Sequence, residues 1–299
     1  MAPAVQALPI LPLVVIGEGS FGKVILMRHV VEGSLCAMKV MRKRDMIKRR
    51  QAERIKTERG VLAAVSHPFI VHFHFAFQTR DHLCLVTEYC PGGDLFFHLS
   101  TGGRFSEERT IFYAAAITLA LAYLHSLMIM YRDLKPENVL LDAMGHVKLT
   151  DFGFSKICLG KSHSVCGSPG YAAPEILAFR GHDHTVDWYS LGALTLEMLT
   201  GMLPGTGVVS YPSYVTPVAT NVLQSLLSND PATRLGSHRD GEEVQAHPFF
   251  SGIDWIGMED GRVTPPFTPN LSEDSDTTYF GDDVLALPLL RLPTAYYDW

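Results

Sequence analysis

Tyr131-Arg132-Asp133-Leu134-Lys135-Pro136-Glu137-Asn138 sets a carboxylate, an ammonium and a carboxamide close together, directly after a long apolar segment. Asp133 is suited to orient and deprotonate an attacking hydroxyl, Lys135 to neutralise charge on a phosphate in flight, and Asn138 to bind a Mg²⁺ ion. A short strand is predicted over His146–Thr150, and Asp151-Phe152-Gly153 follows it. Asp151 is then a further carboxylate able to hold a Mg²⁺ that bridges phosphates. Each side chain taken alone reads as a solvated loop group. Their order, with the Asp-Phe-Gly triplet so soon after the loop, argues for one site.

Upstream, Gly17-Glu18-Gly19-Ser20-Phe21-Gly22-Lys23-Val24 is a GxGxxGxV run. Glycines let backbone N–H groups approach phosphates closely. A dinucleotide-binding turn is disfavoured, because strand and not helix is predicted after Gly22. The next strand carries Ala37-Met38-Lys39. By default a lysine in an apolar strand snorkels to water; a phosphate site gives Lys39 another use, with an ion-pair partner on the following helix. Ile55, Leu62 and Val65 recur on one helical face. Glu58 shares that face and Glu53 turns off it, so Glu58 is the partner chosen.

Leu13–Gly17, Lys23–Met27, Leu35–Val40, Ile70–Phe77 and Leu83–Thr87 read as strands, with one charged helix over Met41–Val65. Pro91-Gly92-Gly93 is a connector signal. Beyond it, helices are predicted over Asp94–Ser100, Ser106–Leu127, His184–Thr200 and Val218–Leu227. The class is α+β and bilobal: a small β-rich N-lobe with one main helix, a larger helical C-lobe, and a cleft between them where ligands are favoured. Ile111–Met130 is nearly long enough to span a bilayer, but Thr118, His125 and Ser126 favour a buried helix and no membrane span. No basic segment precedes the apolar Ala7–Ile16, which Pro9 and Pro12 interrupt, so no signal peptide is expected.

With 299 residues, 47% hydrophobic and 19% charged, the chain reads as globular. A net charge of -6 argues against a nucleic-acid partner. Cys36, Cys84, Cys90, Cys158 and Cys166 are scattered and form no CxxC pair. They predict neither disulfides nor zinc but a reducing compartment: the cytoplasm, alone or with the nucleus.

These motifs, with Ala172-Ala173-Pro174-Glu175 closing the series, resemble a eukaryotic protein kinase of the AGC group, which holds the cAMP-dependent and ribosomal S6 kinases. The resemblance covers roughly residues 13–299. Tyr131 stands where most kinases carry histidine, and tyrosine there is common in this group. Lys135 is of the serine/threonine type. Ser164-Val165-Cys166-Gly167-Ser168-Pro169 is similar to the group's TxCGTP activation segment. His247-Pro248-Phe249-Phe250 matches the close of the kinase core. Pro265-Pro266-Phe267 and Asp276-Thr277-Thr278-Tyr279-Phe280 resemble the tail that wraps back over the nucleotide lobe.

The resemblance implies an N-lobe over 13–87, a hinge over 88–93, a C-lobe over 94–254 and a tail over 255–299. It implies ATP and Mg²⁺ as cofactors and transfer of the γ-phosphate to serine or threonine of a protein. Lys39, Glu58, Asp133 and Lys135 become catalytic, and Asn138 and Asp151 metal ligands. The nucleotide would lie among Ile16, Gly17, Glu18, Gly19, Ser20, Phe21, Gly22, Lys23, Val24, Ala37 and Lys39. Thr87 would be gatekeeper, Glu88 and Cys90 would lie in the hinge, and Leu140 beneath the adenine. Ser164 would be phosphorylated by an upstream kinase, with Arg132, Lys156 and Arg54 as cations around it. Ser168 would bond Asp133 and Lys135, Asp187 would brace the catalytic loop, and Glu175 would pair with Arg234. Asp94, Glu137 and Glu197 would select substrates with basic residues near the target. A monomer is expected.

The chain also departs from the group's pattern. Met202–Ser210 is too short for the usual loop and added helix, which puts docking in doubt, and Gly170 replaces a usual glutamate. Tyr296-Tyr297-Asp298-Trp299 resembles a terminal aromatic motif, with Tyr296 and Trp299 expected to dock beside the Glu58 helix. The shortened region motivates an alternative, a pseudokinase-like ATP-binding scaffold with weak turnover. The intact Lys39, Glu58, Asp133, Asn138 and Asp151 favour an active enzyme. A small-molecule kinase of similar fold is disfavoured by the activation segment and tail.

Overall fold

Alternating apolar residues build the first lobe, because a pleated strand sends successive side chains to opposite faces. The computed structural model describes residues 10–19, 22–49, 51–157, 160–164, 167–204, 211–290 and 297–299. Its first strands, β1 (Ile10–Gly19), β2 (Gly22–His29) and β3 (Leu35–Arg42), form an antiparallel meander. All three run past the expected bounds. Along β3, Cys36, Met38 and Val40 are buried on one face, which leaves Ala37 and Lys39 on the other. At Gly22 a Cβ would lie 1.9 Å from the Val40 carbonyl oxygen, so β2 approaches β3 in a way that only glycine permits.

The one helix expected over Met41–Val65 is instead two, α1 (Lys43–Lys48) and α2 (Ala52–Ala64). Met41 and Arg42 remain in β3, opposite Leu83 and His82. Burial of Met41 within the ladder outweighs its helical spacing. Arg49 closes α1 and Gln51 opens α2 as its N-cap. The strands β4 (Phe73–Gln78) and β5 (His82–Glu88) extend the sheet in the order β1-β2-β3-β5-β4. β4 starts at Phe73 and not at Ile70, because the preceding backbone is used elsewhere. Val71 donates to the Leu149 carbonyl at 3.0 Å and Leu149 donates to that of Phe69 at 2.9 Å. These bonds tie the two lobes together.

The second lobe is helical. Asp94 caps α3 (Leu95–Gly102), and Ser106 caps α4 (Glu107–Ser126), whose first turn carries Glu107 and Glu108. α4 is buried along most of its length, and no helix among the described residues is long and apolar enough to cross a membrane. After β6 (Ile129–Met130), a 3₁₀ turn (Pro136–Asn138) leads into the hairpin β7 (Val139–Leu141) and β8 (Val147–Leu149). β9 (Lys156–Ile157) pairs with β6. α5 (Pro174–Leu177) precedes α6 (Thr185–Thr200), which is buried on nearly all sides around Trp188, Leu191 and Leu194. α7 (Pro217–Leu226), α8 (Gly241–Gln245), a 3₁₀ turn (Pro248–Phe250) and α9 (Trp255–Glu259) complete the lobe. Arg234 is fully buried and meets both Glu175 carboxylate oxygens, at 2.7 and 2.9 Å.

The remaining chain returns to the first lobe. α10 (Asp282–Leu285) lies against β1, and β10 (Tyr297–Asp298) adds to the free edge of β4. Trp299 packs on Met41, Met46, Ile55 and Leu85, beside α2 as expected. Tyr296, and most of Met202–Ser210, lie outside the described residues.

Candidate active site

α2 turns Ile55, Glu58, Val61 and Leu62 inward, and Glu53 outward to pair with Lys56. Glu58 is thereby buried against the sheet, and its Oε1 lies 2.7 Å from Lys39 Nζ. Asp151 Oδ2 approaches the same ammonium at 3.4 Å. Burial works against the charge on Lys39, but the Asp151 and Glu58 carboxylates outweigh it and hold its pKa above the usual lysine range. Asp151 sits at φ +56, with Oδ1 accepting from the Gly153 N–H at 3.2 Å. Burial pushes the Asp151 carboxyl up, but Lys39 and Gly153 prevail and keep it below the usual range, hence ionised.

The catalytic loop hangs from α6. Tyr131 and Arg132 donate their backbone N–H groups to Asp187, at 2.8 and 2.7 Å. Tyr131 also donates its hydroxyl to the Thr150 carbonyl and sets its ring edge-on to Phe152. Asp133 is then surrounded by donors. Asn138 Nδ2 reaches its Oδ2 and its carbonyl, both at 2.9 Å, and Ser168 donates to its Oδ1 at 2.9 Å. Lys135 Nζ lies 3.1 Å from Asp133 Oδ2 and 3.0 Å from Ser168 Oγ. Burial is the largest influence on Asp133 and raises its carboxyl pKa despite those donors, as suits a base. Among the described residues no cluster of three or more His, Cys, Asp or Glu forms a metal cage. One ionised carboxylate, Asp151, and one amide oxygen, Asn138, still fit a hard divalent cation completed by phosphates and water.

The sheet face above this loop carries Val24, opposite Lys39 in the ladder, and Ala37, opposite Thr87. Leu140 of β7 lies half-buried below, bridged to Asp94. Ile16, Gly17, Glu18 and Gly19 end β1, and Gly22 opens β2; Ser20 and Phe21 lie outside the described residues. Three members of the expected nucleotide set point their side chains elsewhere. Lys23 Nζ donates to the Pro288 carbonyl of the tail at 3.1 Å. The Glu88 carboxylate accepts from the His72 N–H at 2.7 Å and pairs with Lys148 at 3.0 Å. The Cys90 side chain is buried, and burial holds its thiol well above the usual pKa. Any role of these three toward a nucleotide rests on backbone.

Ser164 Oγ accepts from Arg132 Nη1 at 2.7 Å. Arg132 and Lys156 both donate to the neighbouring buried Ser162, at 3.2 and 3.1 Å, and Arg54 lies over the Phe154 ring at 4.1 Å. Glu197 accepts from the Tyr171 hydroxyl. Burial, then the charge of Glu137, pushes the Asp94 carboxyl up to about 6, and burial also raises Glu197. Gly170 sits at φ +96, with Leu203 where a Cβ would point.

Sequence reasoning missed three groups. Tyr89, just past β5, donates its hydroxyl to the Asp276 carbonyl at 2.6 Å and stacks on Phe280, so the tail clasps the hinge. Ser162 takes two of the three cations expected for Ser164, Arg132 and Lys156. His125 and Asp240 stand behind Asp187. A histidine in an apolar helix carries no signal beyond core packing, and Asp240 is distant in sequence.

Residues 12–250 match the family model described as "Protein kinase domain". The chain belongs to the protein kinase family. It is 45% identical over 294 residues to "Serine/threonine-protein kinase Sgk1" of Bos taurus, covering 93% of this chain and 68% of that one. It is 46% identical over 288 residues to "Ribosomal protein S6 kinase alpha-1" of Homo sapiens, covering 90% of this chain and 39% of that one. It is also 46% identical to "Ribosomal protein S6 kinase 2 alpha" of Gallus gallus over 90% of this chain and 38% of the other. These relatives are AGC kinases. This kinase is therefore a serine/threonine protein kinase of that group, with ATP and a divalent metal implied by its family. The scaffold alternative is not favoured.

Proposed function

We propose that this kinase transfers the γ-phosphate of Mg-ATP to a serine or threonine that follows arginine in a protein substrate. The observation that carries the reading is Asp133, a buried carboxylate aligned by Asn138, Lys135 and Ser168, across the cleft from the Lys39–Glu58–Asp151 triad. Asp133 orients the incoming hydroxyl and accepts its proton. Lys135 faces the phosphoryl group in transfer. Lys39, kept charged by its two carboxylates, holds the α and β phosphates. Asn138 and Asp151 would hold Mg²⁺, which when bound neutralises phosphate charge.

Arginine preference is supported by Asp94, Glu137 and Glu197. Burial, and after it the charge of Glu137, raises the cost of keeping Asp94 and Glu197 ionised, and an arriving guanidinium relieves it. Phosphorylation of Ser164 by an upstream kinase is supported by Arg132, which already reaches its hydroxyl, and by Lys156 close by. We further place the enzyme, as a monomer, in a reducing compartment, the cytoplasm or the cytoplasm and nucleus; the buried free thiols of Cys36, Cys84 and Cys90 support this.

The test is phosphate transfer from labelled ATP to serine peptides with and without arginine before the target, with Asp133→Asn as control. Transfer that needs Asp133 and favours arginine supports the reading. Equal transfer by both proteins, or no discrimination between the peptides, overturns it.

A further inference from the structure

His125 is buried near the end of α4, and each of its ring nitrogens meets a carboxylate. Nε2 lies 2.9 Å from Asp187 Oδ2, and Nδ1 lies 2.8 Å from Asp240 Oδ1. Carboxylates accept and do not donate, so both contacts are hydrogen bonds only when the ring carries two protons. Burial opposes that charge, but the bonds to Asp187 and Asp240 outweigh it and lift the His125 pKa to about 9. The other groups around the ring are His184, whose centroid is 5.2 Å away and whose Nε2 lies 3.6 Å from Asp240, and Trp188. The Trp188 indole N–H donates to Asp240 Oδ1 at 2.9 Å.

Asp187 in turn holds the start of the catalytic loop. Its Oδ2 also accepts from the Tyr131 N–H, and its Oδ1 from that of Arg132. Arg132 sits at φ +66, a left-handed conformation that a residue with a side chain keeps only when its surroundings impose it. Asp187 accepts from that backbone, His125 meets Asp187 from behind, and Asp240 meets His125.

We propose that His125 and Asp240 are positioning residues for phosphoryl transfer: an imidazolium clamped between Asp240 and Asp187 fixes the Asp187 carboxylate, and through it the backbone that aims Asp133. Neither residue touches the reacting atoms. The inference rests on Asp133 being the catalytic base. A neutral ring has one N–H, so deprotonation leaves one carboxylate without its donor. Because the folded pKa lies above the ordinary 6.5, the clamp is complete below about pH 6.5 and is lost as pH rises through about 9.

The test is the pH profile of kcat for wild type and Asp240→Asn, with Asp240→Glu as the conservative variant. Asparagine is isosteric with aspartate, so the backbone at Asp240 (φ +51, ψ −133) meets a side chain of the same size, and asparagine keeps an acceptor for Trp188. The substitution thus removes charge and leaves the backbone its conformation. Wild-type kcat is expected to decline above about pH 9. In Asp240→Asn that limb moves down by about one pH unit, so kcat at pH 8, where about half of the rings have then lost the proton, falls roughly twofold. KM for ATP and for peptide is unchanged, and glutamate restores the profile. In wild type the His125 imidazole resonance titrates near pH 9. The proposal is overturned by an unmoved limb, by a loss confined to KM or to melting temperature, or by a His125 resonance titrating near 6.5. Wild-type transfer rates in Asp133→Asn would overturn the catalytic reading itself. An inactive Asp133→Asn beside an unmoved Asp240→Asn limb would overturn the clamp alone.

Discussion

At the phosphate end of the cleft the charged groups are partners of one another: Lys39 meets Glu58 and Asp151, and Asp133 meets Lys135, Asn138 and Ser168. At the substrate end the charged groups share one sign. Asp94 and Glu197 are each pushed up by burial and by Glu137, and the described residues give them a helix cap and a tyrosine hydroxyl but no cation. The first arrangement is complete before any ligand arrives, so it can hold its geometry through the reaction. The second has no cation of its own, so under the proposed function an arriving guanidinium would complete it, and its strain would then become selectivity. Gly170 and Leu203 sharpen the contrast, since the substrate side gains an apolar contact where the group usually has an acid.

The comparison is tested most severely by Asp133→Asn. Transfer should fall about 10²- to 10⁴-fold for every peptide, with melting unchanged; a loss restricted to arginine peptides would mean the two ends are not separate. Lys39→Met should cost about 10²- to 10³-fold in kcat, again regardless of peptide sequence. Glu137→Gln should act at the other end alone. Its kcat/KM should drop roughly tenfold for arginine peptides and hold for peptides without arginine. In wild type the same preference should weaken as pH falls through about 6, because Asp94 then gains a proton and its charge is lost. A preference constant from pH 7.5 to 5.5 would remove Asp94 from the arginine site. The smallest effect is expected for Trp299→Ala, which uncovers part of the Met41–Met46–Ile55 cluster. It should lower stability by about 1 kcal/mol in a denaturant melt, and an unchanged midpoint would show that the contact contributes nothing.

Local pattern made much of this legible. Glu58 was separable from Glu53 because helical spacing alone fixes which of the two faces the sheet. Asp94 and Ser106 were readable as helix starts because their side chains bond amides three residues on. The end of β3 was not readable, since Met41 has helical spacing and its strand assignment comes from Leu83, far along the chain. Lys23 lies in a glycine run that reads as phosphate-binding, yet its ammonium turns to Pro288 of the tail.

By itself the sequence determined the inventory of candidates for the proposed chemistry: Asp133 as base, Asn138 and Asp151 as metal ligands, Lys39 and its glutamate for phosphate, each in a short run whose residue types suit the task. The tertiary structure alone decided how these groups are held. Asp187 is fixed by His125 and Asp240, the hinge is clasped through Tyr89 and Asp276, and Lys156 and Arg132 share Ser162. The physical reason is range. Spacing along a strand or helix orients neighbours within a few residues, whereas a hydrogen bond between distant segments exists only once the chain has packed them together.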